Sequence, residues 1–130
     1  MFSYSKESLK QLNTCDDRIK SVFLEVIKYV DCTILEGFRG EALQNKYYRE
    51  GKSGKQWPNG EHNTSPSKAV DCMVYPIDWK EPMRQCLFAG FVLGVAESMG
   101  IKLRWGGDWD GDFNLKEHTL FDTSHFELNE

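Results

Sequence analysis

No apolar run in this chain approaches the roughly 20 residues that a membrane-spanning helix needs, so stable membrane insertion is not expected. The opening segment, MFSYSKESLKQL, has neither the basic start nor the apolar stretch of a secretory signal. The protein is therefore expected to accumulate in the cytoplasm where it is made, and to need outside help to reach an extracytoplasmic substrate. Positive charge is not in excess. Sixteen Lys and Arg stand against 20 Asp and Glu, a net charge of −4, with the two signs mixed along most of the chain. That weighs against a nucleic-acid partner, since such binders concentrate positive charge on one face. The four cysteines (Cys15, Cys32, Cys72, Cys86) contain no CxxC pair, which argues against a tetrathiolate zinc site. Each lies in or beside an apolar segment, and in a reducing compartment each is expected to be a small buried side chain rather than half of a disulfide. Repeats, low-complexity tracts and linkers are lacking too, and 130 residues suit one domain, here read as residues 1–130.

What is present reads as an ordinary globular composition, 40% hydrophobic and 28% charged. A serine-capped helix is expected over Ser5–Leu12. A clearer one follows over Asp16–Val30, where Ile19, Val22, Phe23, Val26, Ile27 and Val30 keep helical spacing. Cys32–Phe38 leans to strand, and Glu41–Glu50 to helix, stopped by Gly51. Lys52–Pro66 is a polar loop, long for a compact domain, and such loops are often functional. Ala69–Tyr75 is a strand, Pro82 opens a helix running to about Met99, and Leu103–Trp105 leads into the GGDWDGDF loop. The chain closes with HFEL, where His125 and Glu127 oppose Phe126 and Leu128. Helices come first and strands are scattered between them, which predicts an α+β fold with helices packed on a small, mainly antiparallel sheet.

Three histidines are few enough to weigh one at a time. His62 ends the polar loop, Asp71 lies on the strand that follows, and His125 begins the last strand, three residues after Asp122. Two imidazoles and one carboxylate are the donor set of a catalytic zinc with a fourth position open to water. Zinc lowers the pKa of that water to about 7, and a nearby carboxylate must then take its proton and pass it to the leaving amine. Composition alone does not select this set, because a lone histidine is more often a surface or hydrogen-bonded residue. Asp71 is less ordinary. Strands disfavour aspartate, and a buried carboxylate inside the apolar AVDCMV run needs a partner.

The segment His62–Asp71, HNTSPSKAVD, resembles the first zinc signature of the LAS peptidases, Ser-x-His-x-x-Gly-x-Ala-x-Asp. That group includes D-alanyl-D-alanine carboxypeptidases and dipeptidases and the phage L-alanyl-D-glutamate endopeptidases. The chain keeps the His, Ala69 and the Asp; Gly60 replaces the Ser, Ser67 stands at the Gly, and the loop is two residues longer. The second signature, Asp/Glu-x-x-His, is matched by Asp122-Thr123-Ser124-His125 and continues as HFEL. With GGDW at Gly106–Trp109, that tail is similar to the phage endolysin branch. The resemblance runs from about residue 35 to the C-terminus.

The resemblance implies a fold of the Hedgehog and DD-peptidase kind, with His62, Asp71 and His125 as ligands of one catalytic zinc and Asp122 as general base. It also implies that Arg39, in EGFR, helps bind the scissile carbonyl. Trp105 and Trp109 flank the glycines as candidate walls of a substrate groove, with Trp109 the candidate substrate contact. His118 matches no signature position and is expected to be structural. Asp108, Asp110 and Asp112 alternate like the start of a calcium-binding EF-hand loop. The glycine falls one position early, at Gly111, and Thr119 replaces the closing Glu, which favours an acidic solvated loop over a Ca2+ site.

The implied activity is a phage endolysin: a monomer that waits in the host cytoplasm until lysis, then hydrolyses the L-Ala–D-Glu bond of peptidoglycan stem peptides. Two other readings stay open on sequence. One is a D-Ala-D-Ala carboxypeptidase or dipeptidase with the same zinc machinery. The other is a non-catalytic binding domain, since a fold alone does not fix an activity.

Overall fold

The computed structural model describes residues 2–115 and 122–130. Its elements run in the order α1 (Lys6–Leu12), α2 (Asp17–Val26), β1 (Cys32–Glu36), α3 (Glu41–Arg49), a 3-10 turn (Glu61–Asn63), β2 (Ala69–Val74), α4 (Pro82–Ser98), β3 (Leu103–Trp105) and β4 (His125–Leu128). The α+β expectation holds, and every strand pair in the described sheet is antiparallel, in the order β1-β2-β4-β3. Among the described residues no helix is long and apolar enough to cross a membrane.

The helix starts are dictated locally. Ser5 caps α1 by accepting from the Ser8 amide, and Asp16 caps α2 by accepting from the Arg18 amide. The end of α2 differs from expectation. Regular helix stops at Val26, and residues 27–30 tighten into turns in which the Lys28 and Tyr29 amides reach carbonyls three residues back. Such tightening satisfies the orphan carbonyls of a helix end and turns the chain toward β1. Strand β1 is also shorter than Cys32–Phe38. Gly37 and Phe38 leave the sheet because their amides are taken by Gln11 Oε1 and Thr14 Oγ1 at the end of α1. Only glycine fits at 37, where a Cβ would collide with Thr14 and the Gln11 carbonyl.

Helices α2 and α4 lie against the sheet over one core. Helix α4 buries Gln85, Phe88, Ala89, Val92 and Ala96, a helical stripe. From β4, Phe126 is fully buried and meets Phe23 and Phe88 edge-on at 5.5 and 6.4 Å. Cys15, Cys32 and Cys72 are buried free thiols and Cys86 is half-buried, as their apolar settings lead one to expect.

The middle of the sheet is where core and surface chemistry meet. β2 pairs on both sides, so Asp71 stands opposite Glu36 of β1 and His125 of β4. A bulge at Leu35 makes the first pairing: Ile34 faces Cys72 while Glu36 faces Asp71, leaving one residue extra. Bulges re-aim side chains, and this one turns Glu36 toward the same end of the sheet as Asp71.

Because Phe126 is the residue through which β4 is seated on both helices, Phe126→Ala is expected to lower unfolding free energy by about 3–5 kcal/mol. Denaturant titration with an unchanged slope checks this, and a loss below about 1 kcal/mol would show that β4 is held by its polar edge instead.

Candidate active site

One cleft of about 680 Å³ opens at this end of the sheet. His62, Asp71, His125, Asp122, Glu127, Arg39 and Trp109 line it, and the polar loop supplies a wall from Gly51–Lys55 and Gly60–Glu61. Potential ligand atoms of His62, Asp71 and His125 all lie within 4.8 Å of one another.

Each member arrives by a different route. Asp71 is fixed by the β2 register. It lies 3.4 Å from His62 Nε2 through Oδ2 and 3.5 Å from His125 Nδ1 through Oδ1. His62 sits on the 3-10 turn, 3% exposed, and its Nδ1–H donates to the Gly37 carbonyl at 2.7 Å. A carbonyl only accepts, so Nδ1 carries a hydrogen and Nε2 is the nitrogen that faces Asp71. Among the described residues that buried Nε2 has no hydrogen-bond partner. The two imidazole rings meet edge-on at 5.1 Å.

The turn that presents Asp122 and His125 is anchored by the core. Gln85 of α4 and the Trp105 indole both donate to the Thr123 carbonyl, at 2.8 and 2.7 Å, and the Cys72 amide donates to that of Ser124. Gly106 lets the chain pass close beside it, since a Cβ there would strike the Asp122 carbonyl. Trp105 is thus 3% exposed and serves the core, not a groove wall. Trp109, 39% exposed, does line the cleft, its ring 5.5 Å from that of His125.

Arg39 enters from the chain just after β1. Its Nε and Nη2 both donate to Glu36 Oε1, Nη1 donates to Gln44 Oε1 at 3.0 Å, and Nη2 stands 3.7 Å from Asp71 Oδ2. Its guanidinium also lies 4.8 Å over the Tyr47 ring. Gln44, fully buried on α3, is the hub of this wall. Its oxygen accepts from Arg39 and Asn63, and its amide nitrogen donates to Ser53 Oγ and the Lys55 carbonyl. The long loop is therefore pinned to the same side chain that orients Arg39.

Charges in this pocket are tightly matched. Burial alone would raise the Asp71 pKa, but the neighbouring His125 and His62 overturn it and hold the carboxyl well below its usual range. Burial likewise opposes charge on His125, yet Asp71 and Glu127 push its imidazole up to about 9. Asp122 is raised, chiefly by burial and then by the Asp71 charge, against the pull of His125.

The loop Asp108, Asp110 and Asp112 gathers its carboxylates within 4.8 Å as well. Asp108 accepts from the Phe113 amide, Asp110 from Asp112 and Asp112 from Asn114, the turn-holding work expected of an acidic loop. His118 and Thr119 lie outside the described residues. Gln44, Gln85, Glu36 and the Gly37 carbonyl are functional groups that no sequence motif marks. Of these only Gln85 left a trace, as a polar residue on the apolar stripe of α4.

Known proteins resemble this chain along nearly its whole length. The family model for phage L-alanyl-D-glutamate peptidase matches residues 1–129. An L-alanyl-D-glutamate peptidase of Escherichia phage T5 is 32% identical, covering 98% of each chain. The crystal structure of the Serratia marcescens L-Ala D-Glu endopeptidase ChiX superposes with a TM-score of 0.78 at 26% identity, covering 98% of this chain and 90% of the other. The class is therefore peptidase. More narrowly, the chain belongs to the phage L-alanyl-D-glutamate peptidase family.

Protonation of His125 beside Asp71 and Glu127 is expected to stabilise the metal-free protein. Because its pKa is raised from about 6.5, that contribution is whole below pH 6.5 and is lost as pH rises through about 9. In chelator-treated protein the melting temperature is expected to fall across that window, and His125→Gln to flatten the fall. Equal slopes would show that the Asp71–His125 pair does not stabilise the fold.

Proposed function

We propose that this protein is a zinc-dependent peptidoglycan endopeptidase that hydrolyses the L-Ala–D-Glu bond of stem peptides, with residues 1–130 acting as one catalytic domain. The observation that carries the reading is the convergence of His62, Asp71 and His125 on the floor of a cleft, in a chain of this family. Zinc suits the residues present. Two imidazoles and a carboxylate are its donor set, and the buried Nε2 of His62, without a hydrogen-bond partner among the described residues, is aimed where a cation would sit. His62, Asp71 and His125 would hold it. When bound, zinc supplies a Lewis acid that brings the pKa of water to about 7 and polarises a carbonyl.

The chain's own groups then have defined work. Asp122, in the cleft beside the three, takes the proton of the attacking water. It returns that proton to the D-Glu nitrogen as the carbon–nitrogen bond breaks, which leaves an L-Ala carboxylate and a free D-Glu amine. Arg39, held by Glu36 and Gln44, faces the carbonyl oxygen as negative charge gathers there. Trp109 offers a flat apolar wall to the peptide. The D-Ala-D-Ala carboxypeptidase reading would use the same groups, and it is the family that favours the endopeptidase. The protein is read as a monomer in the host cytoplasm until lysis opens a path to the wall.

Incubation with isolated sacculi is expected to release new L-Ala carboxyl and D-Glu amino ends, to stop with a chelator, and to resume with zinc. Asp122→Ala is expected to keep zinc but lose about 10²–10⁴-fold in rate. Release of terminal D-Ala instead would favour the carboxypeptidase, and a fully active Asp122→Ala would assign the base elsewhere.

A further inference from the structure

Strand β4 carries a second polar side chain on the face of His125. Glu127, two residues on, is 8% exposed and lines the same cleft, yet it does not belong to the set whose ligand atoms converge. The sheet register places Asp71 opposite His125 and Arg104 opposite Glu127. Four side chains therefore form a row. Asp71 Oδ1 is 3.5 Å from His125 Nδ1, His125 Nε2 is 2.7 Å from Glu127 Oε1, and Glu127 Oε2 is 3.4 Å from Arg104 Nη2.

A carboxylate accepts, so Nε2 carries the hydrogen in that 2.7 Å bond. A neutral His125 then has its lone pair on Nδ1, the nitrogen on the Asp71 side. His62 is arranged in the mirror sense: its Nδ1–H is held by the Gly37 carbonyl and its Nε2 is the inward nitrogen. Two histidines thus offer different nitrogens to one point, and in each the outer nitrogen is tied down by an oxygen. A carbonyl serves for one and a buried carboxylate for the other.

A simpler purpose for Glu127 would be to neutralise Arg104. The geometry speaks against that as the main one. The Arg104 contact is the longer of the two, and the Arg104 side chain is 37% exposed. Glu127 is the buried partner, and its short bond goes to His125. We propose that Glu127, steadied by Arg104, is a positioning residue that fixes His125 with Nδ1 facing the cation site and thereby sets the affinity of that site for a divalent metal. This rests on the reading of His62, Asp71 and His125 as ligands. Outer carboxylates of this kind orient an imidazole and raise its basicity, and losing one typically costs roughly 10–100-fold in metal affinity.

Zinc affinity by chelator competition, with folding checked by circular dichroism, tests the idea. Glu127→Ala is expected to bind zinc roughly 10–100-fold more weakly, and Glu127→Gln, which keeps an accepting oxygen, to recover most of the loss. Glu97→Gln, at an exposed carboxylate outside the cleft, serves as the control with unchanged affinity. Wild-type affinity in a folded Glu127→Ala overturns the proposal. A second measurement needs no variant: in cadmium-substituted, nitrogen-labelled wild-type protein, metal–nitrogen coupling is expected at His125 Nδ1. Coupling at Nε2 overturns the proposal even if Glu127→Ala does not fold. Wild-type protein that takes up neither metal would sink the ligand reading itself, a separate result.

Discussion

An ionised aspartate in the middle of a paired strand is the constraint around which this molecule is arranged. Asp71 lies on a strand paired on both sides, and its side chain is only 17% exposed, so water reaches its carboxylate poorly. Desolvating a charge is expensive unless opposite charges and donors surround it, and removing one partner of such a buried group typically costs about 3–5 kcal/mol. The chain answers with three partners from three places. His62 comes from the long loop, His125 from the neighbouring strand, and Arg39 from the turn after the β1 bulge. Each is held in turn, by the Gly37 carbonyl, by Glu127 and by Glu36 with Gln44. The cluster is rigid because its members are over-determined, and a hydrolytic site needs its groups held to within a fraction of an ångström.

The period of two along β4 divides labour between stability and chemistry. Phe126 points into the aromatic cluster of Phe23 and Phe88, while His125 and Glu127 point into the cleft. Packing of the helices therefore fixes the height and angle at which His125 is offered. The Thr123 carbonyl, gripped by Gln85 and Trp105, does the same for the turn that carries Asp122. Membership of the peptidase family gives this economy a reason: the sheet end that must be precise is bonded directly to the core that is least able to move.

Features encoded in short stretches were legible in the sequence. Serine and aspartate caps, the stripe of α2, proline at the start of α4 and the alternation of HFEL all follow from local rules, and the structure shows each. Asp71 was legible for the opposite reason, as a residue that strand propensity disfavours. Resemblance to a family supplied the pairing of distant signatures, which spacing alone does not give. What could not be read depends on contacts across the fold. Nothing near Gln44 tells that it will bridge Arg39 to Lys55, and nothing near Gly37 tells that its carbonyl will accept from His62 Nδ1. The two tryptophans beside the glycines look alike in sequence. Only the paths of β3 and the following loop separate Trp105, bonded to Thr123 in the core, from Trp109 at the cleft.

Anomalous diffraction at the zinc edge from crystals of the zinc-loaded protein addresses the central claim most directly. The account predicts one strong peak within about 2.0–2.2 Å of His62 Nε2, an Asp71 oxygen and a ring nitrogen of His125. A map with no peak among these three side chains, or with its peak at the Asp108–Asp112 loop instead, would contradict it.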